Sequence, residues 1–150
     1  MLVDDITNKR KERHHITQED FTPLCVCEIL NGNIENELYQ DFNKNFCDIA
    51  AGNGNIIRCV IKERLNYCNS QEDILNALKT IYGVELMQDN VEECYGLIME
   101  DIIEFSNLKN IIIDKEKVLE ILQNNIICSD IFEWDFNKWQ PKNKSINALF

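Results

Sequence analysis

The sequence predicts an α/β domain, a parallel sheet with helices on both faces. Three short apolar stretches, "NFCDIA", "TIYGVEL" and "NIICS", have strand length and composition. Between them run longer segments whose apolar residues recur every three to four positions, the helical period. Strands that alternate with helices form parallel βαβ units with right-handed crossovers. The 150 residues suffice for one domain with a core of its own.

Residues 1–19 are polar and basic, and they read as a flexible arm preceding a domain over 20–150. "FTPLCVCEIL" opens a helix, with Thr22 as its cap, Pro23 in its first turn and Asn31-Gly32-Asn33 at its end. "NFCDIA" reads as a short buried strand. A helix follows from Asn55 to about Tyr67, with Ile56, Ile57, Val60, Ile61 and Leu65 on one face. Ser70 caps a short helix bearing Ile74, Leu75 and Leu78. The second strand spans Thr80–Leu86. From Asp89 to about Phe105, Val91, Cys94, Tyr95, Ile98, Ile102 and Phe105 stripe a longer helix. Asp114 caps another, with Val118, Leu119 and Leu122, and "NIICS" is the third strand. The tail holds Trp134, Phe136, Trp139, Leu149 and Phe150, apolar enough to be a cover for the sheet or an interface; the cover is the preferred reading.

Charge and cysteines narrow the function. The net charge is −11, although residues 1–15 hold four basic residues, Lys9, Arg10, Lys11 and Arg13, against three acidic ones. Such an acidic body repels a phosphate backbone, so tight independent binding to DNA is not expected. Seven cysteines at irregular spacing, with one CxC at Cys25 and Cys27, do not form the paired ligand sets of a zinc site; no metal is expected. Reduced thiols and the lack of a signal or membrane-spanning run point to the cytoplasm.

Ligands of parallel α/β sheets bind beyond the carboxyl ends of the strands. "DIAAGNGN" falls at such an end. Gly52 and Gly54 allow a tight turn and a close ligand approach, and the next helix aims its first amides at the same spot. Ile57 stands where a dinucleotide fingerprint has its third glycine, and no Lys-Ser/Thr follows, so neither that fingerprint nor a kinase-type phosphate loop is present. Glu85 ends the second strand, where a carboxylate accepts ribose hydroxyls. Asp130 ends the third, placed to accept from an adenine amine beside Ile131 or Phe132; a turn cap is its simpler role.

"FTP", "DIAAGNGN", "YGVEL" and "CSDIFEWDF", in that order over residues 21–136, resemble the cofactor half of S-adenosylmethionine-dependent DNA adenine-N6 methyltransferases. The modification subunits of restriction systems are the nearest type. Asp48, Ala50, Ala51, Gly52 and Gly54 match the family's first motif, with Ile49 in place of its usual proline. The resemblance implies a truncated Rossmann-like class I methyltransferase fold and S-adenosyl-L-methionine as cofactor. Thr22, Pro23, Asp48, Ala50, Gly52 and Gly54 would hold its methionine end. Glu85 would hold the ribose, Leu86 would pack on the adenine, and Asp130 would read its amine with Ile131 or Phe132 alongside. The family's Asn/Asp/Ser-Pro-Pro-Tyr/Phe loop, which transfers the methyl group, is absent: the two prolines, Pro23 and Pro141, stand far apart. No catalytic residue is therefore assigned.

The expectation is a DNA methyltransferase-like protein that binds the cofactor but is inactive alone. It needs a partner for catalysis and target recognition, and meets DNA weakly or through that partner. In the full fold the first strand is central; here its free edge invites the tail, a second copy or another protein. The alternative is a non-catalytic decoy that docks on a restriction or methyltransferase complex. A small-molecule methyltransferase of the same fold is the third reading, weakened because both histidines, His14 and His15, lie in the arm.

Overall fold

The computed structural model describes residues 21–143. The arm at 1–19 and the terminal "SINALF", with Leu149 and Phe150, lie outside the described residues. Strands β1 (Phe46–Asp48), β2 (Ile81–Glu85) and β3 (Ile126–Cys128) form a parallel sheet in the order β1-β2-β3. The helices are α1 (Leu24–Gly32), α2 (Asn36–Gln40), α3 (Asn55–Leu65), α4 (Gln71–Leu78), α5 (Gln88–Lys109) and α6 (Lys115–Asn125). A mixed α/β architecture with a parallel sheet is thus present, as the alternating pattern requires.

Local chemistry sets most boundaries. Ser70 accepts from the Asp73 N–H at 3.1 Å and starts α4; Asp114 accepts from Glu116 and Lys117 and starts α6. Thr22 does not cap α1. Pro23, extended at ψ 144°, takes the cap position, and its carbonyl receives the first helical bonds from Val26 and Cys27. The Thr22 carbonyl instead accepts from Asn55 Nδ2 at 3.0 Å, which ties the start of α1 to the start of α3.

The predicted helices on both faces are corrected. Side chains alternate along β2, so Ile81 and Gly83 face one way and Tyr82 and Val84 the other. A β-carbon on Gly83 would sit 2.7 Å from Ile57 Cδ1 of α3 and 3.4 Å from Ile126 Cγ2. On that face Val60 and Ile61, Cys94 and Ile98, and Val118 and Leu122 share one core with Ile81 and Ile126. Helices α3 to α6 thus gather on one side. The cause is strand order: β1, β2 and β3 succeed one another in a single direction, so two right-handed crossovers fall on the same face.

The opposite face receives aromatic rings. After a 3₁₀ turn at Ile131–Glu133, strands β4 (Trp134–Asp135) and β5 (Gln140–Pro141) form an antiparallel hairpin. The Trp139 ring meets Tyr82 edge-on at 4.7 Å and Trp134 at 5.5 Å, and its Nε1 donates to the Asn124 carbonyl at 2.8 Å. Trp134 and Val84 are buried. The described part of the tail is a cover for the sheet, as its composition implied.

Strand β1 is not the buried strand its apolar letters predict: it lies at the sheet edge with Cys47 exposed. Arg64 of α3 steadies the chain leading into it. Fully buried, it donates through Nη2 to the carbonyls of Lys44, Asp41 and Leu38 at 2.6, 3.3 and 3.4 Å. Its guanidinium lies 5.2 and 5.0 Å from the rings of Phe42 and Phe46. Among the described residues no helix is long and apolar enough to cross a membrane.

Candidate functional site

The turn after β1 is built from local rules. The Asp48 carboxylate accepts from the Ala50 N–H at 3.0 Å, which bends the chain out of the strand. Ala51 N–H then bonds to the Val84 carbonyl at 3.0 Å, and Gly54 N–H to the Ala51 carbonyl at 2.8 Å. Gly52 and Gly54 have φ of +56° and +89°, in the left-handed region that favours glycine. A β-carbon on Gly54 would run into the Cys94 thiol of α5, and one on Gly52 would touch the Phe21 ring at 3.0 Å. Both glycines are thus required by the turn itself and by its neighbours.

Glu85 joins this turn to the end of β2. Its Oε2 accepts from the Gly52 N–H at 2.8 Å. Its Oε1 accepts from the Met87 N–H at 3.0 Å and from Asn90 Nδ2 at 3.2 Å. Glu85 as a whole is 9% exposed. Burial, reinforced by the nearby charge of Glu85, pushes the Asp48 carboxyl above the usual carboxylate range, against the Ala50 hydrogen bond that lowers it. Two carboxylates of like charge therefore stand at adjacent strand ends, Asp48 on β1 and Glu85 on β2, an arrangement that a cationic ligand group relieves.

The third strand end reaches the same place. Ser129 N–H donates to the Glu85 carbonyl at 2.9 Å, and Asp130 lies two residues beyond Cys128, the strand partner of Glu85. Asp130 Oδ1 accepts from the Phe132 N–H at 2.8 Å, so it caps the 3₁₀ turn. Leu86 and Phe132 are 61% and 79% exposed, large apolar side chains at the tips of β2 and β3. Ile131 is half-buried. Gly52, Glu85 and Asp130 thus stand at neighbouring strand ends.

Of the residues expected at the methionine end, Thr22, Asp48, Ala50 and Gly52 line one small hollow with Phe21 and Asn55. Pro23 heads α1 and Gly54 lies behind the turn; neither is in that lining. The hollow measures about 30 Å³, room for little more than water, so a nucleoside does not fit inside it. Phe21, Asn55 and Asn90 are absent from the sequence-derived set. Asn90 carried a signal, a polar residue beside Val91 on the apolar side of a helix; Phe21 and Asn55 lie within the "FTP" and "DIAAGNGN" stretches but carry no assigned role there. No protein-family model matches the chain, and neither does any curated protein or solved structure.

Proposed function

We propose that this protein binds S-adenosyl-L-methionine, or a ligand of its adenosyl-cation type, at the ends of β1, β2 and β3. The observation that carries the reading is the Glu85 clip on the Gly52 amide, beside a second carboxylate, Asp48, whose ionised form is penalised. The residues would divide among the cofactor's parts, Glu85 offering the acceptor position of Oε2 that the Gly52 N–H leaves open. Asp48 and Ala50 would meet its cationic end, Glu85 its ribose, Leu86 and Phe132 the faces of its adenine, and Asp130 its amine. Bound there, the cofactor would supply an activated methyl group. The resemblance to DNA adenine methyltransferases of restriction-modification systems gives that group its class of acceptor, a DNA adenine. No catalytic Pro-Pro loop lies in this sequence, so transfer would need a partner.

One observation favours a second reading, an interaction protein that keeps the architecture without the ligand: the hollow at the turn is water-sized. Calorimetry separates them. Saturable binding of S-adenosylmethionine, lost when Asp48 becomes Asn, is the expected result. A folded chain that releases no heat with ligand at about 1 mM, where binding amounts to only about 4 kcal/mol, refutes the cofactor reading.

A further inference from the structure

Among the described residues, strand β1 has a single neighbour, β2. Phe46 N–H donates to the Thr80 carbonyl at 2.9 Å, and the register Phe46↔Ile81, Asp48↔Gly83 turns the backbone groups of Phe46 and Asp48 toward β2. Strand alternation then aims the N–H and C=O of Cys47 at the open side of the sheet. Beside that edge lies a hollow of about 210 Å³, walled by Leu30, Ile34, Phe46, Val60 and Tyr82. It falls below the roughly 300 Å³ at which small-molecule pockets begin, and suits one large side chain instead. Asp48 is the sole charged residue in its described lining. Helix α1 adds exposed Leu24, Val26, Ile29 and Leu30.

We infer that the free edge of β1 is a docking site for one extended strand of a different, basic protein. The backbone of Cys47 would pair with that strand, and an apolar side chain of the strand would enter the hollow beside Asp48. Unpaired strand groups specify an extended segment as the occupant, and a pocket along the edge selects every second side chain of it. Charge specifies a basic one. Each chain carries −11, so a second copy would bring like charge to the same edge, whereas a Lys- or Arg-bearing strand is drawn to it. The inference gives a place to the partner of the reading above and shares Asp48 with it, but the strand edge and the hollow exist without cofactor, so a titration without cofactor lets the two fail separately.

The probe is a peptide of about ten residues, alternating Lys and Val with a central Phe, the spacing an edge pocket reads. It is titrated calorimetrically into the full chain, without cofactor. Binding is expected. A scrambled peptide of the same composition, and one N-methylated at alternate backbone nitrogens, should each bind about tenfold more weakly or worse. Cys47→Pro should weaken binding similarly without opening the β1–β2 ladder, because its N–H faces away from β2. Leu30→Lys, on an exposed helix position, should do the same without touching the strand; it decides the matter if the proline variant does not fold. Equal affinity for all three peptides, no binding at all, or folded variants that bind unchanged would each overturn the inference. So would a dimer in sedimentation that Leu30→Lys dissolves, which assigns the edge to a second copy. Tighter peptide binding after removal of residues 144–150 would assign it to the chain's own end and overturn it too.

Discussion

Replacing Glu85 by Gln tests the join between fold and site. The carboxylate takes three protein donors, at 2.8, 3.0 and 3.2 Å, and is almost wholly buried. Glutamine keeps the shape but has one acceptor oxygen. If that oxygen stays with Met87 and Asn90, the new amide faces the Gly52 N–H, donor against donor. One hydrogen bond to a charged group is lost, worth about 1.5–3 kcal/mol, and a buried N–H is left without its partner. We expect about 2–3 kcal/mol of lost stability in urea unfolding, with an unchanged m value, since the same surface is exposed. The same substitution should weaken S-adenosylmethionine binding about tenfold or more, because the ribose hydroxyls would meet a group with half the accepting capacity. A stability change within about 0.5 kcal/mol would place Glu85 outside any structural role at the turn and refute the reasoning.

Three other substitutions probe the surroundings. Gly54→Ala adds a β-carbon where φ is +89° and where the Cys94 thiol already stands, so we expect about 2–4 kcal/mol of destabilisation. A urea double-mutant cycle with Cys94→Ala should show part of that cost relieved, and simple additivity would contradict the collision. Arg64→Ala removes three carbonyl contacts and the packing between Phe42 and Phe46, and should cost about 3 kcal/mol or more, read as a lower urea midpoint. Asp48→Asn keeps an acceptor for Ala50 and removes a penalised charge. Since the folded-state pKa of Asp48 is raised, its contribution to stability is present below the ordinary carboxylate pKa of about 4 and is lost as pH rises through the folded value. The Asn variant should therefore gain stability over wild type as pH climbs from about 4, while binding the cationic ligand less well. A stability difference that does not vary with pH would contradict this.

Features set by neighbours in sequence were legible before any coordinates. Ser70 and Asp114 cap the helices they precede, the three strands fall on the three apolar stretches, and Gly52 and Gly54 take left-handed conformations. Features set across the chain were not. Which face the helices cover follows from strand order, and no local pattern encodes that order. Thr22 had the chemistry of a cap, but Pro23 displaced it by one residue, and the Thr22 carbonyl went to Asn55. The apolar letters of Phe46 to Ile49 read as a buried strand because Cys47 and Ile49 do not show, from sequence, that nothing described pairs beyond them. From the sequence Glu85 reads as the end of the second strand and a ribose acceptor, and in the structure it also clips the glycine turn. Its bonds to Met87 and Asn90 are local, but its engagement with Gly52 depends on a fold that brings residues 33 positions apart into contact.

The most direct test of the central claim is an amide NMR titration of the full chain with S-adenosylhomocysteine, the demethylated and chemically stable form of the cofactor. We predict saturable shifts confined to the ends of β1, β2 and β3, at Gly52, Leu86 and Phe132, with the helical core and the Trp139 hairpin unmoved. A well-dispersed spectrum with none of those amides displaced at about 1 mM ligand, or with displacements only elsewhere, would contradict the account.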